Sequence, residues 1–239
     1  MTTSVMTTSV FIHGDNLIAS RNALHQEIAK ARSQGTEEVI RLSGEDMVMT
    51  DLLQAVEAKS LFGAVKLVII ENLLARKSSK EKDRLLQYLK TTSLQTPLIF
   101  WEAKSVTSSQ LKALPKNLHI QFYKVSPKIF SFLDALAPGN FKEILRLYHQ
   151  CLESETPEMV FYMLTRRVSQ LLMSVLPAQT GNPDAADWQM RRLVGQSKKF
   201  SGERLMAIHE MLYSVDRSIK TGKNFLPLGS LLDLVICEI

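Results

Sequence analysis

At 239 residues, with 45% hydrophobic and 22% charged residues, the chain can fill one large core or two modest ones. No apolar run approaches the roughly 20 residues of a membrane helix, so no membrane partner is expected. A net charge of +5 is compatible with an acidic partner such as nucleic acid but is too small to identify one.

Residues 1–10 carry no positive charge ahead of their few apolar residues, which argues against a secretory signal. The repeated Met-Thr-Thr-Ser-Val there (Met1 to Val5, then Met6 to Val10) is given no functional weight. Val10-Phe11-Ile12 reads as a short buried strand, and Gly14-Asp15-Asn16 turns it into a helix near Leu17 to Ala31. Glu38 to Leu42 is a second strand, Met49 to Lys59 a helix, and Lys66 to Ile70 a third strand. Ser78-Ser79-Lys80-Glu81 fits a capping box opening a helix up to about Leu89. Pro97 to Trp101 and His119 to Tyr123 complete five strands. Val- and Ile-rich strands separated by helices predict a parallel sheet covered on both faces.

The second half shows no convincing strand. Ser126-Pro127 and Thr156-Pro157 combine an N-cap with Pro at the first helical position. Val160, Phe161, Leu164, Val168, Leu171, Leu172 and Val175 share one face of a helix after Pro157. Leu205, Ile208, Leu212, Val215 and Ile219 repeat the three-and-four spacing of a buried stripe. Gly181-Asn182-Pro183 punctuates the stretch between them. The fold class expected is α/β followed by all-α, with domains at residues 1–125 and 126–239.

Catalytic chemistry is hard to find. A phosphate loop needs Gly-x-x-x-x-Gly-Lys-Ser/Thr, because its backbone N–H groups and Lys hold phosphates while the hydroxyl binds magnesium. In Gly14 to Arg21, Ala19 stands at the second Gly, Ser20 at the Lys and Arg21 at the Ser/Thr. Asp15 adds a charge that repels phosphate. Glu71, just after the third strand, sits where a magnesium-binding acid often lies, and a solvated strand-end Glu is the preferred reading. His13, His25, His119, His149 and His209 form no metal-ligand pair, and nothing resembles a nucleophile elbow. Cys151 and Cys237, far apart and in no metal-like spacing, read as core thiols of a reducing cytoplasm. No catalytic residue, metal or cofactor is expected.

Several segments nevertheless form an ordered set. The turn Phe11 to Asn16 opens an α/β half without a phosphate cradle. Ala58-Lys59-Ser60-Leu61-Phe62-Gly63 is followed by Lys66-Leu67-Val68-Ile69-Ile70-Glu71-Asn72. Phe132-Leu133-Asp134-Ala135-Leu136 and Pro157 to Leu172 come next, and Asp216-Arg217-Ser218-Ile219-Lys220-Thr221-Gly222 precedes Leu231-Leu232. Together these resemble the delta subunit family of the bacterial DNA polymerase III clamp loader. The resemblance covers both halves; each motif is short, and their shared order is the stronger signal. It implies an AAA+-like sheet domain without a phosphate loop, then a helical collar domain for oligomerisation. In that family a small helical lid lies between the two. Here the fifth strand runs almost directly into Ser126-Pro127, so the lid is expected to be missing or much reduced.

The resemblance also implies a role. Delta subunits bind the sliding clamp and hold one interface open for loading onto primed DNA, while other loader subunits bind ATP. Such a chain is no enzyme by itself; it is a component of a DNA-directed DNA polymerase (nucleotidyltransferase) holoenzyme and is expected to be cytoplasmic. Read by themselves, Leu61 and Phe62 are either a lid on the local core or an anchor for a partner's pocket. The resemblance makes them the clamp contact. The partners implied are the sliding clamp and other loader subunits reached through the collar, with primed DNA a candidate.

Arg76, Lys77, Lys80, Lys82 and Arg84, and in the second half Arg166, Arg167, Arg191, Arg192, Lys198 and Lys199, either line a path for DNA phosphates or form solvated helix faces. Arg191, Arg192, Lys198 and Lys199 are the candidate DNA-facing set. They also supply the competing function, a nucleic-acid-binding adaptor without clamp contact. Asp216 and Lys220 suit a helical ion pair, with Gly222 as the C-terminal cap.

Overall fold

In the computed structural model, which describes residues 9–57, 65–92, 96–175 and 187–239, two compact units divide the chain: 1–125 and 126–239. The first contains strands β1 (Val10–His13), β2 (Thr36–Ser43), β3 (Val65–Glu71), β4 (Leu98–Glu102) and β5 (His119–Phe122). Helices α1 (Leu17–Ser33), α2 (Met49–Glu57), α3 (Lys80–Thr91) and the short α4 (Ser108–Leu111) connect them. The five strands form one sheet in the order β2-β3-β4-β1-β5, and every pairing is parallel.

Strand alternation divides the core between the two faces of this sheet. Phe11, Val68, Ile70, Leu98 and Phe100 pack with Leu52, Ala55 and Val56 of α2 and Leu85 and Leu89 of α3. Val10, Ile12, Leu67, Ile69, Ile99 and Trp101 face Ala23, Leu24, Ile28 and Ala31 of α1. Both faces are therefore covered, as near-continuous apolar strands require. Each fully buried large side chain contributes about 1.5–3 kcal/mol.

The second unit consists, among the described residues, of α5 (Pro127–Ala135), α6 (Phe141–Leu152), α7 (Pro157–Val175), α8 (Asp187–Ser197), α9 (Gly202–Lys220) and α10 (Leu228–Cys237). Ser126 caps α5, accepting the Lys128 N–H with Pro127 in the first turn. Phe132, Tyr148, Leu164, Leu205, Ile208 and Leu232 are buried, and the Tyr148 hydroxyl donates to the Gly229 carbonyl at 3.0 Å. Gly222, at φ +65°, ends α9 in a left-handed cap: its N–H donates to the Ile219 carbonyl and the Lys223 N–H to the Ser218 carbonyl. The Lys220 ammonium meets Asp216 at 2.7 Å.

Several local expectations need correction. Ser79, not Ser78, caps α3, accepting the Lys82 N–H; Glu81 instead accepts the Met49 N–H at 2.8 Å, joining α3 to α2. Val175 and Ile219, at the ends of their stripes and in the last turns of α7 and α9, are exposed. Cys237 is exposed on the last turn of α10, whereas Cys151 is buried. Helices α4 and α6 were not anticipated: α4 is a single turn with a Thr107–Gln110 capping box. Gly181-Asn182-Pro183 and residues 1–8 of the repeated N-terminal segment lie outside the described residues.

Candidate functional site

The carboxyl ends of β1, β3 and β4 meet the start of α1, the place where open α/β sheets bind ligands. At this position the β1–α1 turn spends its hydrogen-bonding groups on the chain itself. The Asn16 N–H donates to the Tyr123 carbonyl at 3.1 Å, and the Leu17 N–H to the Asp15 carbonyl at 3.1 Å. The Asn16 side chain takes the Ala19 N–H at 3.0 Å, while Asp15 accepts the Val125 N–H at 2.9 Å. Gly14 is at φ +142°, and a Cβ there would lie 1.8 Å from the Tyr123 carbonyl oxygen. The β5–α5 connection therefore lies directly against the glycine, and the Asn16, Leu17, Ala19 and Ser20 N–H groups at this helix start already have acceptors.

Beside the turn, Glu71 is clamped rather than solvated, correcting the expectation for that residue. Arg21 of α1 reaches it at 2.7 Å and Arg41 of β2 at 3.3 Å. Arg21 also lies 3.5 Å above the Trp101 ring, a cation–π contact. Arg21 occupies the sequence position of the magnesium-binding hydroxyl of a phosphate loop, and Glu71 that of a metal-binding acid. Here a covalent cation meets the acid instead. Glu102, buried at the end of β4, accepts the Leu74 and Ala75 N–H groups at 2.5 and 3.2 Å, and burial raises its pKa. His13 is stacked between Phe11 and Phe122, its Nδ1 accepting the Val106 N–H; burial lowers its pKa. These two groups pin the loops after β3 and β4.

The basic clusters separate into committed and uncommitted residues. Lys82 donates to the Leu74 and Arg76 carbonyls, and Arg76 to the Met47 carbonyl. In the second unit Arg167 and Arg192 both bind Asp134, at 3.2 and 2.5 Å. Gln196, also buried, accepts from Arg167 and donates to the Leu133 and Leu136 carbonyls, closing the end of α5. Arg192, placed in the DNA-facing set, is thus part of a helix staple. Arg191, Lys198 and Lys199 are exposed and make no ion pair among the described residues, with Lys198 and Lys199 just beyond the end of α8. Leu61 and Phe62 lie outside the described residues, between the end of α2 and the start of β3.

Missed at the sequence level were the Arg21–Glu71–Arg41 and Arg167–Asp134–Arg192 clusters. The only available signal was the cation at the phosphate-loop Ser/Thr position. No group of His, Cys, Asp and Glu suited to a metal occurs among the described residues, and none of their helices is long and apolar enough to cross a membrane.

Comparison with known proteins follows the same division. The family model for the DNA polymerase III delta subunit matches residues 15–121, and the model for the C-terminal domain of that subunit matches residues 126–228. Residues 122–125 separate the two matches. Among solved structures the chain is similar to the DNA clamp loader delta protein of Bacillus subtilis, at 15% identity and a TM-score of 0.44, over 97% of this chain and 94% of that one. It is also similar to a DNA polymerase III gamma subunit-related protein from Thermotoga maritima, at 9% identity and a TM-score of 0.33, with the same two coverages. No curated protein matches it. Matched in order through both of its units, the chain belongs to the DNA polymerase III delta subunit family.

Proposed function

We propose that this chain is the clamp-opening subunit of a DNA polymerase III clamp loader. It binds the sliding clamp through Leu61 and Phe62, holds one clamp interface open, and joins other loader subunits through residues 126–239. The observation that carries the reading is a delta-subunit match running through both units. The β1–α1 turn supports a purely mechanical part: its Asn16, Leu17, Ala19 and Ser20 amides are bonded internally and Arg21 is on Glu71, so this reading leaves ATP binding to the other subunits.

An anchor of this kind costs at least about 2 kcal/mol when truncated, roughly 30-fold in Kd. Titration of the chain against the sliding clamp of the same source should therefore give tight binding that falls by that factor in the Leu61→Ala, Phe62→Ala double variant. No saturable ATP binding is expected below about 1 mM, a free energy near 4 kcal/mol. Failure of the parent chain to bind the clamp would sink the reading. The nucleic-acid adaptor alternative keeps Arg191, Lys198 and Lys199, which are exposed and without an ion pair among the described residues, while Arg76, Lys82 and Arg192 are engaged within the chain.

A further inference from the structure

Strand β5 forms one edge of the sheet and pairs with β1. No other strand pairs with it among the described residues. Ile120 and Phe122, two residues apart and so on the same face, are 49% and 53% exposed. Next to Ile120 opens a cavity of about 420 Å³, bounded by the end of α3, the α4–β5 connection and β5. Its apolar wall includes Leu114, Leu118 and Ile120, and its rim carries Lys90, Lys112 and Lys116. All three lysines are exposed, no ion pair engages them among the described residues, and no acidic side chain lines the cavity.

Three like charges ring this apolar hollow with no acid among its lining residues. They concentrate a positive potential over a volume within the range of small-ligand sites. The complementary ligand is an anion with an apolar body. The adjoining strand edge narrows the class further. An extended peptide can hydrogen-bond along an open edge while placing alternate side chains toward one face. Residues 1–8 of this chain contain no Asp or Glu, so they do not supply the complementary charge.

We propose that the free edge of β5 and the lysine-rimmed cavity together bind an extended acidic peptide segment of another protein. One apolar side chain fills the cavity against Leu114, Leu118 and Ile120, and carboxylates two residues to either side of it, on the same face, meet Lys90, Lys112 and Lys116. This surface shares no residue with the clamp contact, so it stands or falls separately.

The test is fluorescence anisotropy with the full chain and a fluorescein-labelled octapeptide that carries one Phe with Asp or Glu two residues to either side, on the same face of an extended chain, and Thr or Ser at the other positions. Saturable micromolar binding is expected, weakened at least about tenfold in a Lys112→Glu, Lys116→Glu variant and in Ile120→Asp. The triple variant Lys90→Gln, Lys112→Gln, Lys116→Gln repeats the charge test without reversal. Unchanged circular dichroism melting verifies folding in each. A peptide with Lys in place of every acid should not bind. Absence of saturation up to about 1 mM would overturn the proposal, as would full affinity in the lysine variants. Displacement of the peptide by oligothymidylate, with oligothymidylate retained by Ile120→Asp, would also overturn it and make the surface a nucleic-acid contact.

Discussion

Each unit of the molecule holds one carboxylate between two guanidinium groups, and the two arrangements serve different ends. In the first unit Glu71 is gripped by Arg21 and Arg41, whose side chains are 39% and 50% exposed. Water reaches both cations, so their attraction is screened and their desolvation slight. In the second unit Asp134 is gripped by Arg167 and Arg192, and Arg167 is only 13% exposed. Burial pulls the Arg167 pKa down and Asp134 opposes that shift. The first cluster ties α1, β2 and the end of β3 together beside the β1–α1 turn. The second is a staple joining α5, α7 and α8, and its strength depends on having every partner present.

The sharpest way to break this comparison is Asp134→Ala. It leaves Arg167 buried without its acid and should cost about 3 kcal/mol in urea unfolding, the usual scale for orphaning a buried charge. Adding Arg167→Met should recover at least about half of that loss, since an apolar side chain needs no counter-charge. Glu71→Gln should cost about 1 kcal/mol or less by the same measurement, as expected of pairs that water screens. Equal losses in the two variants would abolish the distinction.

The smallest effect concerns acid. Burial depresses the His13 pKa, so the native state binds fewer protons than the unfolded chain. Its contribution is present above about pH 6.5, the ordinary histidine value, and is lost as pH falls through the depressed native value. The urea midpoint should therefore decline from about pH 7 to about pH 5, and His13→Gln, which keeps an acceptor for the Val106 N–H, should decline less. Identical pH profiles for the two proteins would assign the acid sensitivity elsewhere.

The short continuous apolar runs of the strands and the three-four stripes of the helices were enough to define the α/β and all-α halves, five parallel strands and several of the long helices. Those patterns are local: a strand buried on both faces and a helix buried along one stripe each need their apolar residues at fixed spacings. Gly222 and Ser126 were legible for the same reason, since caps act within a turn of their own position. The substitutions at Ala19, Ser20 and Arg21 also revealed an altered phosphate loop without any coordinates. What those residues do instead was decided by tertiary structure. Arg21 meets Glu71 and Trp101 across 50 and 80 residues of chain, and Tyr123, just past the neighbouring edge strand β5, closes over Gly14. Arg192 likewise reads as a surface cation until α8 sets it against Asp134 of α5. Long-range charge pairing leaves no periodic trace in a sequence, because it depends on which elements the packed core brings side by side.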